Sequence, residues 1–174
     1  MAKRLRGFET LGDMVRSLGL VLVVVAVILL LIWRPKPDQV KAVDPGPTLA
    51  QARQSAPYDV YAPEPAPQGW TATVARYEPA PPANEWTLGF VTAAEDYAAV
   101  AQTDGDAQAL LDEVAPGAEP AGSSTVNGQE YERRASPDGS RRVLVAAVPG
   151  STLAVGGTAD WDVLERLAGS LRAG

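Results

Sequence analysis

The stretch Val126–Gly156 reads VNGQEYERRASPDGSRRVLVAAVPGSTLAVG, and three turn signals separate its apolar runs. Asn127-Gly128 is a strong hairpin signal, because both residues tolerate the positive φ of a type I′ turn. Ser136–Gly139 has the residue chemistry of a turn, and Pro149-Gly150 supplies another. The stretch therefore predicts antiparallel strands at Gln129–Ala135, Arg141–Val148 and Thr152–Gly156.

Alternating patterns predict further strands at Gln68–Glu78 and Glu85–Val91. The apolar residues that share a face are Trp70, Ala72 and Val74 in the first and Trp86, Leu88 and Phe90 in the second. The loop Pro79–Pro82 separates the two strands. The next segment, Tyr97–Gln102, fits a hairpin partner for the second strand, but its alanines would also suit a helix.

Two helices complete the pattern. Asp106 is placed to cap a short helix that ends at Pro116-Gly117 and buries Leu110, Leu111 and Val114. The last segment, Asp160–Arg172, is amphipathic, with one apolar stripe made by Trp161, Leu164, Leu167, Ala168 and Leu171. We therefore expect residues 68–174 to form a single α+β domain: a twisted antiparallel sheet with the C-terminal amphipathic helix packed on it.

An uncharged run, Ser17–Trp33, precedes this domain and is bracketed by Arg16 and Arg34. Its 17 residues would span roughly 25 Å as a helix at ~1.5 Å per residue, close to a ~30 Å hydrocarbon core. A core helix would need a polar face, a cleavable signal peptide would need small residues near its end, and a lipoprotein would need a cysteine. The run therefore predicts a transmembrane helix at residues 17–33, which would contact the lipid bilayer directly.

The flanking charges predict the orientation of this span. Residues 1–16 form a basic tail with Lys3, Arg4, Arg6 and Arg16, against Arg34, Lys36 and Lys41 on the other side. The excess of positive charge favours a cytoplasmic N-terminus and an extracytoplasmic C-terminal domain, so the chain is expected in the cell membrane as a single-pass protein. Residues 34–67 contain eight prolines and predict a stiff tether. Within it, Thr48 could cap a short helix ended by Pro57, and Tyr58–Tyr61 could add an edge strand.

Missing residue types exclude much chemistry. The chain has no cysteine and no histidine, and its lysines are Lys3, Lys36 and Lys41 only. Disulfides, thiolate nucleophiles, zinc fingers and histidine general bases are therefore excluded. Residues 34–174 hold eleven basic and nineteen acidic groups, which disfavours nucleic acid binding. We expect no enzyme activity, no catalytic residue, no metal site and no cofactor.

Other candidate sites have structural interpretations. Trp70, Trp86 and Trp161 could stack on carbohydrate, but each is in phase with an apolar face and favours core packing. Asp104–Asp106 resembles the start of a calcium loop, but Ala115 stands at the twelfth position, where such a loop needs a bidentate glutamate, so a helix cap is the better interpretation. Carboxylate pairs such as Glu95-Asp96 and Asp112-Glu113 have no spacing that singles out an acid and a base.

Four arginines cluster in the predicted hairpin: Arg133, Arg134, Arg141 and Arg142. A four-residue loop at Ser136–Gly139 would set Arg134 opposite Arg141 and Arg133 opposite Arg142. Directly opposed like charges cost up to ~1 kcal/mol per pair. Relief could come from a shifted register, from nearby acids such as Glu130 and Glu132, or from a bound anion. These arginines are therefore the candidate site for an anionic ligand or an acidic partner.

Ordered blocks along the chain carry a family resemblance. They are DMVRSL (13–18), GWTATVARY (69–77), WTLGFVT (86–92), YAAVAQTDG (97–105), VNGQEYERR (126–134), VGGTADW (155–161) and LERLAGSLR (164–172). The chain resembles the actinobacterial domain-of-unknown-function family 4245, whose members are anchored by one N-terminal span. The resemblance implies an envelope location and one domain, and it implies no activity.

The expected function is a non-enzymatic binding or interaction module of the cell envelope, meeting an envelope protein or an anionic ligand. The alternative is a carrier or sensor of a small apolar or anionic ligand held between the C-terminal helix and the sheet. A hydrolase that uses carboxylates alone is a third possibility and would need two facing carboxyl groups in one cleft.

Overall fold

The computed structural model describes residues 18–19, 21–23, 25, 41–80 and 83–174, in two compact units, Met1–Gln39 and Val40–Gly174. In the first unit the described residues are helical and exposed. None of the described helices is both long and apolar enough to span a membrane. The predicted tail 1–16, most of the predicted span 17–33 and the start of the predicted tether lie outside the described residues.

The second unit is an α+β fold built on a seven-stranded antiparallel sheet. Its elements in chain order are α1 Gly46–Ser55, β1 Tyr61–Pro63, β2 Thr71–Ala80, β3 Ala83–Val91, β4 Tyr97–Thr103, α2 Ala107–Val114, β5 Glu119–Val126, β6 Gln129–Ala135, β7 Arg142–Val148, β8 Ser151–Gly157, α3 Trp161–Ser170 and β9 Leu171–Ala173. The strand order is β2-β3-β4-β8-β7-β6-β5, and β1 pairs separately with β9. The predicted antiparallel sheet and C-terminal helix are confirmed.

The connection through α2 explains the strand order. After β4 the chain crosses through α2 to the far edge of the sheet, then returns through β5, β6 and β7 until β8 pairs with β4. The return begins at the predicted Asn127-Gly128 hairpin, where both residues have positive φ, 52° and 81°. The ambiguous segment Tyr97–Gln102 is a strand, because it lies between β3 and β8 and both of its edges are paired.

One face of the sheet carries the main hydrophobic core. Trp86, Leu88 and Phe90 all point into it, as their alternation predicts, and α3 covers it with Leu164 and Leu167. In the first predicted strand, residues 68–78, the phase is confirmed for Trp70 and Ala72, which pack against the core, and is wrong for Val74. A bulge between Ala72 and Val74 places Ala72 opposite Phe90 but Val74 opposite Gly89, on the other face. The extra residue in a bulge reverses the side-chain alternation beyond it.

Residues before Gln68 belong to the fold, so the predicted boundary between a tether at 34–67 and a domain at 68–174 is wrong. Ala52, Val60 and Ala62 are at most 1% exposed and lie in the main core. The edge strand expected near Tyr58–Tyr61 forms slightly later, as β1. Prolines here mark a compact covering segment and not an extended spacer. Lys41 consequently lies inside the folded unit, although its side chain is exposed.

Helix α1 begins before the predicted cap at Thr48. Pro47 occupies its first turn, where a missing N–H costs nothing, and the Asp44 side chain accepts a hydrogen bond from Gly46 N at 2.9 Å. The helix ends at Ser55, two residues before Pro57, as predicted, because a residue that precedes proline disfavours helical backbone.

The buried amide of Gln102 joins the N-terminal segment to the sheet. Its Nε2 donates to Asp59 O and Ser151 Oγ, both at 2.8 Å, and its Oε1 accepts from Tyr61 N at 3.0 Å. Trp86 adds a hydrogen bond from Nε1 to Tyr61 O at 3.0 Å. Because Gln102 is fully buried, water cannot replace these partners if its side chain is removed.

Replacing Gln102 by leucine should therefore lower the free energy of unfolding by about 1–3 kcal/mol, the cost of leaving buried polar groups unpaired. Urea denaturation followed by tryptophan fluorescence measures the change. The matched control is Gln51→Leu in α1, whose side chain is exposed and which should change stability by no more than about 0.5 kcal/mol. Equal effects of the two substitutions would contradict the role assigned to Gln102.

Candidate functional site

The second face of the sheet holds an open cleft of about 420 Å³. Its floor crosses β3, β4 and β8 and consists of Thr87, Ala99, Ala101 and Gly156. Small-molecule sites usually have volumes of ~300–1,000 Å³. We call this space the sheet cleft.

Helix α2 covers only part of this face. Leu110 and Leu111 pack with Val143, Ala154 and Ala101 in a small second core. The prediction for α2 is confirmed: Asp106 caps it by accepting from Gln108 N at 2.8 Å, and the apolar residues face inward. An eight-residue helix is only ~12 Å long. Among the described residues, no helix therefore covers the neighbouring area over β3 and β4.

Small residues keep the sheet cleft open and let one aromatic ring form its wall. The Tyr97 ring lies over Gly89, where an added Cβ would collide with the phenol group. At Gly156 an added Cβ would come within 2.7 Å of Val114 Cγ1 and 2.8 Å of Arg142 O. Any larger residue at either position would displace a wall of the cleft.

The opposite wall is the C-terminal end of α2 with two arginines nearby. Glu113 accepts from Arg76 Nη2 at 3.1 Å, and Arg76 also lies 3.5 Å from Glu78. Arg141 donates from Nη1 to Val114 O at 3.2 Å, which satisfies one of the free carbonyls at the helix end. Charged groups therefore stand at the mouth of a largely apolar space.

Tyr97 is a neutral hydrogen-bonding group of this site. Burial raises the pKa of its phenol, and the positive charges of Arg141 and Arg76 only partly oppose the rise. Its backbone N–H donates to Thr158 Oγ1 at 2.9 Å, whereas its hydroxyl makes no hydrogen bond with the described residues. At neutral pH the hydroxyl is protonated and can donate to a molecule in the cleft.

The β6–β7 loop fixes the backbone of Arg141. Ser136 N donates to Arg141 O, and Arg141 N donates to Ser136 Oγ, both at 2.9 Å. Ser136 Oγ in turn donates to Asp138 Oδ1 at 2.6 Å, and Ser140 donates to the same oxygen. The hydrogen bonds from Ser136 and Ser140 lower the pKa of Asp138 to about 2.

The same loop shows that the predicted arginine register is wrong. Ala135 pairs with Arg142, so the loop has six residues and Arg134 faces Val143 while Arg133 faces Leu144. The hydrogen bonds between Ser136 and Arg141 close a loop that is two residues longer than the predicted four-residue turn. No arginine stands directly opposite another, and the predicted charge conflict is relieved by the shifted register.

The four arginines divide between the two faces. On the α3 side, Arg133 contacts Glu165, Ser124 and the Trp161 ring, 5.0 Å away, and Arg142 lies 3.3 Å from Asp160. On the α2 side, Arg134 donates to Ala118 O at 2.9 Å. Arg141 joins the sheet cleft, and the other three arginines line no described cavity.

Other candidate residues have structural partners. Trp86 is fully buried, and Trp70 and Trp161 pack against the main core, as predicted. Asp104 accepts from Asn84 N at 2.6 Å, and with Asp106 it serves local structure. The described residues contain no cluster of three or more potential metal ligands.

The centre of the space between α3 and the sheet is filled and offers no room for the ligand of the carrier interpretation. Leu164, Leu167, Leu144 and Leu153 fill its centre, each at most 2% exposed. A cavity of about 170 Å³ at one end, lined by residues such as Tyr131 and Arg172, is well below usual ligand-site volumes. A groove of about 360 Å³ beside Trp70 lies at the edge of this interface, between the segment before β2 and the α3 residues Arg166, Leu167 and Ser170.

Sequence reasoning identified Arg141 and missed the rest of the sheet cleft. Tyr97 and Thr87 gave no signal beyond strand propensity, and Ala99 and Gly156 are small residues without side-chain chemistry. The cleft forms because β4 pairs with β8, which lies about 50 residues further along the chain. A signal was available only in β4 and β8, whose Ala and Gly content is high for buried strands.

Comparisons with known proteins place the chain in a family and give no activity. The family described as "Protein of unknown function (DUF4245)" matches residues 6–171, as the sequence blocks predict. No curated protein matches the chain. Among solved structures, matches occur in "Crystal structure of MucB in complex with MucA(peri)" and in the MucA/MucB complex of Pseudomonas aeruginosa. Both have 18% identity and a TM-score of 0.38, cover 65% of this chain and span only 36% and 34% of the matched chains.

Replacing Ser136 by alanine should raise the pKa of Asp138 from about 2 towards its ordinary value of 3.8. A depressed pKa means that the folded loop favours the carboxylate, so its contribution to loop stability is present above pH 3.8 and is lost as pH falls towards 2. Carbon-13 NMR of the Asp138 carboxyl group measures the midpoint. Ser123→Ala in β5 is the control, and an unchanged midpoint in Ser136→Ala would contradict the network.

Proposed function

The chain belongs to the family of unknown function DUF4245, and we propose that it is a non-enzymatic binding module of the cell envelope. A single transmembrane helix at residues 17–33 anchors it, with the tail 1–16 in the cytoplasm and the α+β domain on the extracytoplasmic side. The domain binds its ligand in the sheet cleft.

The anchor is supported by the sequence. Ser17–Trp33 has no charged residue and is flanked by Arg16 and Arg34, which can reach the lipid headgroups from either end of the span. Four basic residues in the N-terminal tail favour a cytoplasmic N-terminus. Since the folded unit starts at Val40, only residues 34–39 would separate the domain from the bilayer.

The observation that carries the binding function is the sheet cleft. It combines a floor of small apolar residues with a small number of polar groups at the mouth, the usual composition of a ligand site. Because Tyr97 and Arg141 present donors to the space, a bound molecule would gain directed hydrogen bonds as well as apolar burial.

The proposal that the domain is not an enzyme is supported by the chemistry of the residues that line the sheet cleft. Thr87 and Thr158 are the hydroxyl side chains of the cleft besides Tyr97, and neither has a histidine, lysine or cysteine beside it that could activate it. Glu113, the one carboxylate among the lining residues, is paired with Arg76. A carboxylate hydrolase would need a second facing carboxyl group there.

The topology has a direct test. A β-lactamase domain fused after Gly174 should protect cells from ampicillin, because that enzyme acts only outside the cytoplasm. Deleting residues 17–33 should abolish protection and leave the fusion in the soluble fraction. Protection by the deletion variant, or a lack of protection by the full-length fusion, would contradict the proposed anchor and orientation.

The binding function has a separate test with 1-naphthoate, a small rigid probe that fits the sheet cleft. Saturation-transfer NMR on the full-length detergent-solubilised chain, with empty micelles subtracted, should detect binding. Ala99→Leu fills the floor of the cleft and should weaken binding at least tenfold. The matched control, Ala50→Leu, adds the same volume to an exposed position of α1 and should leave binding unchanged.

If 1-naphthoate does not bind, or if Ala99→Leu and Ala50→Leu bind it equally, the sheet cleft is not the binding site. Thermal denaturation of each variant checks that a loss of binding does not come from unfolding. Thr87→Leu, at a half-buried position on the neighbouring strand, fills the cleft from another side and should also weaken binding.

A further inference from the structure

We infer that the ligand of the sheet cleft is a small amphiphile with one anionic group, whose apolar body rests on Ala99 and Ala101 and whose anion is bound by Arg141 and Tyr97. This inference rests on the proposed binding function and specifies the chemistry of the ligand.

Arg141 has binding capacity that the protein does not use. Six of the eight described arginines have a carboxylate within ion-pair distance, and only Arg141 and Arg172 have none. A guanidinium has five N–H donors, and the Arg141 side chain donates one hydrogen bond, from Nη1 to Val114 O. Its remaining donors have no partner among the described residues, and a guanidinium can bind an anion with two of them in two-pronged geometry.

The other charges around the sheet cleft restrict where an anion can bind. Glu113 is held by Arg76, which also faces Glu78, so this group of three carries about one net negative charge next to α2. The C-terminal end of α2 adds at most about half a negative charge, because a helix dipole is equivalent to roughly that amount. An anion therefore gains from Arg141 only where it contacts the guanidinium directly, because Coulomb attraction falls with distance.

Tyr97 supplies the second donor. Its phenol is protonated at neutral pH, since burial raises its pKa, and its hydroxyl has no partner among the described residues. A ligand oxygen that reaches the Tyr97 hydroxyl would accept a hydrogen bond from it. A cation there would meet Arg141 and would find no unpaired carboxylate among the lining residues, so the site selects against positive ligands.

The floor of the sheet cleft limits the size and the polarity of the rest of the ligand. Ala99 and Ala101 are both nearly fully buried, and Gly156 and Val114 continue the apolar surface. The volume of about 420 Å³ corresponds to about fourteen water molecules at ~30 Å³ each. The space therefore accommodates a ring system or a short chain, and a long lipid chain would have to extend into solvent.

The inference is tested with two isosteric probes, 1-naphthoate and 1-naphthamide, which share the ring and differ in charge. With the full-length wild-type chain, naphthoate should bind at least tenfold more tightly than naphthamide. Arg141→Gln should abolish this preference while naphthamide binding persists, and Arg141→Lys should retain part of it. The matched control is Arg172→Gln, which removes the other arginine without a carboxylate partner, away from the sheet cleft.

The outcomes separate this inference from the proposed function. Equal wild-type binding of both probes, lost in Ala99→Leu, keeps the cleft as a binding site and overturns the anionic ligand. A preference for naphthoate that survives Arg141→Gln also overturns it. If neither probe binds, both proposals fail. If naphthoate binds with the expected preference, a comparison with decanoate separates a chain-shaped ligand from a ring-shaped one, since each probe carries one carboxylate.

Discussion

A seven-stranded sheet has two faces that other elements must cover. The helices of the described chain cover little more than one of them. The α3 face receives a ten-residue helix, the β1–β9 pair and the segment before β2, and these fill it with large side chains. Among the described residues, the other face receives only α2, which has eight residues. Beside α2 the strands carry small residues such as Ala99 and Ala101, so the area between the Tyr97 ring and the end of α2 is a depression with an apolar floor. The sheet cleft is therefore a consequence of how unevenly the two faces are covered.

Ion pairing in this acidic chain explains why Arg141 stands apart. Most described arginines act as structural charges: Arg133 joins β6 to α3 through Glu165, and Arg76 joins β2 to α2 through Glu113. Exposed pairs of this kind contribute little each, typically below ~1 kcal/mol, but they hold side chains in place. Arg141 instead has its backbone fixed by Ser136 and its side chain turned towards a helix end. Its position is restrained, and its charge is not neutralised by a carboxylate.

Much of the fold could be predicted from local sequence, because its strands follow alternation and turn chemistry. The hairpin at Asn127-Gly128 and the alternation of Trp86 and Phe90 are sufficient for that part of the sheet. Two features could not be predicted in this way, because they depend on contacts that local sequence does not specify. Val60 lies in a proline-rich segment whose composition indicates a tether, yet its burial depends on the distant Gln102 amide of β4 binding the adjacent residues. The arginine register depended on side-chain hydrogen bonds of Ser136, which residue composition does not specify.

The central claim is that the ligand binds in the sheet cleft, on the sheet face that α2 partly covers. Nitrogen-15 NMR of the labelled chain titrated with 1-naphthoate tests it most directly, because each backbone amide reports separately. We expect the largest shift changes at Thr87, Ala99, Ala101 and Gly156, with the α3 residues Leu164 and Ala168 unchanged. Shift changes centred on α3, or spread evenly over both faces, would contradict the account.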